Sequence, residues 1–169
     1  MIIANNKVND IFLNCFALDA ASRSGLIWIQ PLAKKIKVGS CAGTLGKDGY
    51  WSVQLKGKKH AVHRIIWSLI NGIIPAGYCI DHIDGDRSNN NILNLRLATR
   101  EQNSHNARKG ITRNNLPKGI SVNKENRVYC AQVQVNGKRW RKHGKNLDQL
   151  TQEVQLARTI LHGQFACHG

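Results

Sequence analysis

The sequence predicts an α+β protein of two small units, a strand–loop–strand–helix segment first and three antiparallel strands with a helix second. Three observations predict it. Residues 81–103 read DHIDGDRSNNNILNLRLATREQN: a short apolar run ends at Asp81-His82, a Gly-containing polar loop follows, and Leu93, Leu95 and Leu97 alternate with Asn94 and Arg96. Asn136-Gly137, flanked by two alternating runs, is the strongest short hairpin signal in the chain. Between these features, residues 109–117 (KGITRNNLP) are polar, basic and end in proline, the composition of a linker.

Taken in order, residues 8–16 (VNDIFLNCF) carry apolar side chains at 8, 11, 12, 15 and 16, which is helical spacing, with Asn9 or Asp10 as its start. Residues 18–25 read as a turn and 26–29 as a strand, in which Trp28 is a core aromatic. Residues 31–47 place Lys34, Lys35, Lys37 and Lys47 among glycines and read as a loop with little structure of its own; phosphate contact and a solvated charge run are both open. Residues 50–55 alternate, with Trp51, Val53 and Leu55 on one face. Lys56-Gly57 turns the chain, and residues 58–62 return it as a β-hairpin. From His63 the period changes to helical through Ile66, Leu69, Ile70 and Ile73, until Gly72 and Pro75 stop the helix.

The apolar run that contains Asp81-His82 predicts a strand ending at that pair. The leucine alternation predicts a second brief strand with Asn94 near its start. Thr99 and Gln102 form a capping box, so a helix begins there, carries Asn103 in its first turns and runs to Gly110. His105, two positions past Asn103, is turned about 200° around that helix and cannot share its face.

Beyond the linker, residues 119–123 form a strand, 124–126 a turn and 127–135 a longer strand. Residues 138–143 form a third strand, and Leu150, Val154, Ala157 and Leu161 mark a helix ending near Gly163. In-register pairing about Asn136-Gly137 sets Val135 opposite Lys138, Gln134 opposite Arg139, Val133 opposite Trp140 and Gln132 opposite Arg141. One face then shows Tyr129, Ala131, Val133, Val135 and Trp140, which the helix can cover. The other shows Gln132, Gln134, Arg139 and Arg141, side chains suited to base edges and phosphates. Six residues separate Gly137 from Gly144, so a bulge that shifts the arginines stays open. The domain limits are residues 1–108, with an extension at 1–48 and a core at 49–108, a linker at 109–117 and a second domain at 118–169.

Charge sets the class of partner. With 25 Lys+Arg against 10 Asp+Glu the formal net charge is +15, which calls for a polyanion. Residues 104–169 hold 12 basic and 3 acidic residues, a net +9, against 13 and 7, a net +6, in residues 1–103. Cysteines at 15, 41, 79, 130 and 167 are odd in number and form no C-x-x-C pair, so neither a disulfide framework nor a structural zinc site is expected. No apolar run reaches the ~18 residues of a membrane span and the start lacks a signal-peptide layout, so a soluble, cytoplasmic protein without a membrane partner is expected.

Asp81-His82, Asn94 thirteen residues after the aspartate and Asn103 nine further on resemble the HNH endonucleases with a ββα-metal (His-Me finger) active site, in a variant whose third letter is Asn. Matching phrases extend through Gly49-Tyr50, Val62-His63-Arg64, Trp67, Asp84-Gly85-Asp86, Asn89-Asn90 and Asn94-Leu95. The resemblance implies a metal-dependent DNA endonuclease in which His82 is the general base, Asn94 braces the loop that orients it, and Asp81 and Asn103 hold one Mg²⁺ or Mn²⁺. The residue types suit that chemistry, because phosphodiester hydrolysis needs a base for the water and a cation for the developing charge. His63 and Arg64 match a recurrent His-Arg pair of the family and are candidates for DNA contact; a structural His and a surface Arg are the alternative. Residues 117–165 resemble the AP2 DNA-binding domain, whose exposed sheet face reads DNA. Together the resemblances imply a phage homing-type endonuclease acting on double-stranded DNA, nicking or cutting both strands, a monomer or weak dimer in the cytoplasm of an infected or carrier bacterium. The alternative is a non-catalytic DNA-binding or regulatory protein derived from such a nuclease.

Overall fold

In the computed structural model the described residues are 6–106, 115–123, 125 and 128–168. Most of the expected linker, the continuation of the helix past Asn106, and Lys124, Asn126 and Arg127 at the expected turn and strand start lie outside them. The chain divides into two compact units, Met1–Arg100 and Glu101–Gly169. Both mix helices with small antiparallel sheets, the α+β class that the sequence predicts.

The first unit opens with α1 (Asn6–Cys15), then β1 (Phe16–Leu18) and β2 (Leu26–Trp28). β1 goes beyond the expected turn. It pairs antiparallel with β2, Phe16 opposite Trp28, because those two buried rings pack with centroids 4.6 Å apart. β3 (Thr44–Leu45) lies in the stretch expected to lack structure and adds an edge to the hairpin of β4 (Trp51–Leu55) and β5 (Lys58–Ala61). A two-residue strand has too few side chains to show alternation, so only its backbone pairing with Ser52 and Trp51 reveals it. α2 (Val62–Asn71) follows, ended by Gly72, whose N–H reaches the Ser68 carbonyl at 3.1 Å. Its Val62, Ile65 and Ile66 join Phe12, Leu26, Val53 and Leu55 in one buried apolar cluster.

β6 (Tyr78–His82) and β7 (Leu95–Thr99) pair antiparallel, setting Asp81 opposite Arg96 and His82 opposite Leu95. Ile80 and Leu95 anchor this ribbon in the same cluster. Asn94 sits outside the strand in which the leucine alternation placed it. Residues Ile92–Asn94 form a 3₁₀ turn, since the Asn91 side chain accepts the Leu93 N–H at 3.0 Å and leaves Leu93 86% exposed.

The second unit begins within α3 (Arg100–Asn106) and continues as β8 (Ile120–Asn123), β9 (Val128–Val135), β10 (Lys138–Gly144) and α4 (Leu147–His162). The strand order is β10-β9-β8, and the register about Asn136-Gly137 is the one expected, unbroken from Lys138 opposite Val135 to Gly144 opposite Tyr129. Both turn residues have positive φ, 48° and 75°, the type I′ requirement. No bulge interrupts the ladder, so the arginines keep their predicted positions. Leu150, Val154 and Ala157 of α4 bury against Ile120, Ala131 and Val133.

Candidate active site

Asp81 and His82 are the last two residues of β6, each only 4% exposed. A charge so buried needs a partner, and the register supplies it: Arg96, directly across on β7, places Nε and Nη2 each 2.8 Å from Asp81 Oδ2. The pair is formed by strand geometry and lies well inside hydrogen-bonding distance.

The loop from residue 83 to 94 is closed by its own short polar side chains. Asn94 is its central tie. Its Nδ2 donates to Asp84 Oδ1 at 3.0 Å and to the Asn89 carbonyl at 2.8 Å, while its Oδ1 accepts the Asp84 N–H at 3.0 Å. Its carbonyl also accepts the N–H of Ile83 at 2.8 Å, joining the first residue after β6 to the last before β7. Asp84 in addition accepts from Asn89 Nδ2 and from the Asp86 N–H, both at 2.7 Å. Burial would raise the Asp84 carboxyl, but hydrogen bonds from Asn89, the Asp86 N–H and Asn94 outweigh it and hold its pKa below the usual carboxylate value.

His82 lies among aromatic and amide groups. Its Nε2 is 3.2 Å from Asn90 Oδ1, and the other end of that amide, Nδ2, donates to the Ser24 carbonyl at 3.0 Å. The His63 ring meets it edge-on, centroids 5.0 Å apart, and Tyr50 lies 5.3 Å from His63 and 6.0 Å from His82. Arg87 covers Tyr50 with its guanidinium carbon 5.0 Å from the ring centre and donates to the Asp48 carbonyl at 3.1 Å.

His63 therefore lies inside, 8% exposed, while Arg64 beside it is exposed. Its buried Nδ1 has no hydrogen-bond partner. Burial first, then the neighbouring His82 and Arg64, push its pKa down from 6.5 to about 4, so the ring is neutral at physiological pH.

Of the four motif residues, the first unit brings Asp81, His82 and Asn94 to the two ends of one loop. Asn103 lies on α3 in the second unit, as does His105, whose ring stacks on His162 with centroids 3.8 Å apart. Among the described residues no group of three or more His, Cys, Asp or Glu could hold a metal. The sequence reading missed Arg96 as the Asp81 partner, and Tyr50, Arg87 and Asn90 around His82. A signal existed for two of them, since Gly49-Tyr50 and Asn89-Asn90 were among the matching phrases.

In the second unit Gln132, Gln134, Arg139 and Arg141 are all exposed and paired across the strands, Arg139 to Gln134 at 3.4 Å and Arg141 to Gln132 at 3.5 Å. The same face carries one further rung, Ser121, Cys130 and His143. Lys142 belongs to the covered face and donates to Glu153 of α4 at 2.7 Å.

The family profile described as HNH endonuclease matches residues 60–105. The chain is 38% identical over 104 residues to Protein 3.8 of Escherichia phage T7, a match covering 62% of this chain and 86% of that protein. It is 40% identical over 124 residues to the uncharacterized HNH endonuclease L560 of Acanthamoeba polyphaga mimivirus, covering 72% of this chain and 63% of that one. No solved structure matches.

Proposed function

We infer the function from one premise: residues 60–105 are an HNH endonuclease domain, and a viral relative of this chain is named for the same family. That family acts on DNA and is generally dependent on a divalent metal. Our reading is a homing-type DNA endonuclease that hydrolyses phosphodiester bonds in double-stranded DNA, nicking it or cutting both strands. The observation that carries the reading is the buried His82 imidazole, anchored at Nε2 by an amide and next in sequence to the buried Asp81.

In this reading His82 takes the proton of the water that attacks the phosphorus, as one ester P–O bond breaks. Asn94 keeps the 83–94 loop closed, so the end of β6 stays fixed while the proton moves. Asp81 fits a hard cation: it is one buried carboxylate at the strand end, and Mg²⁺ is commonly held by one or two protein groups with waters and substrate phosphate. Asp81 would hold one Mg²⁺ or Mn²⁺, a role that the resemblance also gives to Asn103. When bound, it supplies Lewis-acid stabilisation of the charge that develops on the phosphate. Residues 1–108 form the nuclease domain, residues 109–117 join it to residues 118–169, and the latter form an AP2-like module. Gln132, Gln134, Arg139 and Arg141 of that module read DNA through the exposed sheet face, with Arg64 adding a phosphate contact beside the nuclease core. His63, being buried, acts within the cluster around His82.

A non-catalytic DNA-binding protein is the second reading, favoured by the hydrogen bond and ion pair that Arg96 makes to the Asp81 oxygen a cation would use. Incubating the purified protein and its His82→Ala variant with supercoiled DNA, in Mg²⁺, Mn²⁺ or EDTA, separates the two. Metal-dependent nicking that the variant loses while still binding DNA is the expected result. Equal cleavage by the variant would remove His82 as the base, and tight binding with no cleavage in either metal would leave the second reading standing.

A further inference from the structure

The hydrogen bond between Asn90 and His82 has a direction that the surroundings determine. Asn90 is 5% exposed, and its Nδ2 lies 3.0 Å from the carbonyl oxygen of Ser24, sixty-six residues earlier in the chain. A carbonyl oxygen only accepts, so the nitrogen of the amide must face it. Ser24 is itself fixed. It is 0% exposed, and its Oγ accepts the Leu26 N–H at 3.2 Å and donates to the Leu26 carbonyl at 3.1 Å. The Asn90 amide is therefore held with Oδ1 toward His82, 3.2 Å from Nε2. An amide oxygen also only accepts, which requires Nε2 to carry the proton. In a neutral imidazole the lone pair then falls on Nδ1.

We propose that Asn90, backed by the Ser24 carbonyl, is the positioning residue that fixes His82 in its Nε2–H tautomer and makes Nδ1 the nitrogen that takes the proton from water. The second half of this statement rests on the nuclease reading; the first half does not. Asn94 and Asn90 then divide one task. Asn94 ties the loop to itself, whereas Asn90 links the base to the β1–β2 hairpin and sets which of its nitrogens is basic.

The test reads the tautomer directly, from long-range ¹⁵N–¹H correlation spectra of the full chain without metal or DNA, at a pH where the ring is neutral. His82 is assigned among the seven histidines by its loss in His82→Gln. The wild type is expected to show Nε2–H. Asn90→Leu, which offers no acceptor, is expected to show a mixture of both tautomers, and Asn90→Asp, which keeps one, to restore Nε2–H. An Nδ1–H signal in the wild type, or an unchanged tautomer in Asn90→Leu, would overturn the proposal. If Asn90→Leu does not fold, the wild-type and Asn90→Asp spectra still decide it. In the nicking assay Asn90→Leu should lower kcat by about 10- to 100-fold, the usual range for groups that orient a site from behind, with DNA affinity unchanged and most activity recovered in Asn90→Asp. Loss of affinity with kcat intact would also overturn it. Should the wild type cleave nothing, the nuclease reading fails while the spectra still decide the tautomer.

Discussion

His63 and His82 meet edge to face inside the first unit, and each residue there has a consequence that can be measured. Unfolded, His63 titrates near the ordinary 6.5; folded, it resists protonation until about 4. Between those values the unfolded chain binds more protons, so the His63 contribution to stability is complete above about pH 6.5 and is lost as the pH falls toward 4. A shift of this size corresponds to about 3 kcal/mol. His63→Phe, similar in shape and unable to titrate, should flatten the fall of the urea midpoint over that window; an unchanged pH profile would refute the burial argument. The Asp81–Arg96 pair allows a second test. Arg96→Leu leaves a buried carboxylate without its guanidinium and should cost about 3–5 kcal/mol of unfolding free energy, whereas adding Asp81→Leu should recover most of the loss. Equal stability of single and double variants would show that the pair carries no such penalty.

At the scale of elements, the hairpin and its covering helix set the tightest constraints. Gly119 enters β8 with φ 79°, and a Cβ there would stand 2.7 Å from Arg158 Nη2, 2.9 Å from the Gln132 carbonyl oxygen and 3.2 Å from Val154. The two backbones are already tied there, since the Gln132 N–H donates to the Gly119 carbonyl at 2.8 Å. Gly119→Ala combines an unfavourable backbone angle with a clash against backbone, and should destabilise the second unit by about 2–3 kcal/mol, read as loss of the Trp140 fluorescence transition at lower urea. The ribbon β9–β10 was legible in the sequence because its register is set locally: Asn136-Gly137 fixes the turn, and each later pair follows by counting. β1 and β3 were not, because strands of three and two residues are too short to show an alternating pattern. The 3₁₀ turn at Ile92–Asn94 was hidden by alternating leucines, whose pattern is indifferent to the Asn91 side chain that bends the backbone.

Over the whole molecule, a net charge of +15 means that, in the proposed reading, salt is the main external control of DNA affinity. Replacing Arg139 and Arg141 together by Ala should weaken DNA binding and reduce the slope of log affinity against log salt by about 2, without lowering the urea midpoint, because both are exposed. Lys142 is the internal control. It carries the same charge one residue away but faces α4 and Glu153, so Lys142→Ala should weaken binding far less than either arginine change. Equal effects from all three would mean that the sheet face does not read DNA and that only total charge matters. Among the described residues no helix is long and apolar enough to cross a membrane.

The sequence by itself determined whatever depends on neighbours along the chain: the α+β class, the two hairpin turns, the α2 and α4 helices, the β9–β10 register and the spaced Asp81-His82, Asn94 and Asn103 motif. Periodicity and turn chemistry act over a few residues, so a linear reading recovers them. Tertiary structure alone decided that His63 is buried against His82, that Arg96 closes on Asp81, and that Asn90 holds His82 through a carbonyl sixty-six residues away. Those outcomes depend on which groups folding brings into contact and removes from water, where a polar atom without a partner is costly. No pattern along the chain encodes that partner's address.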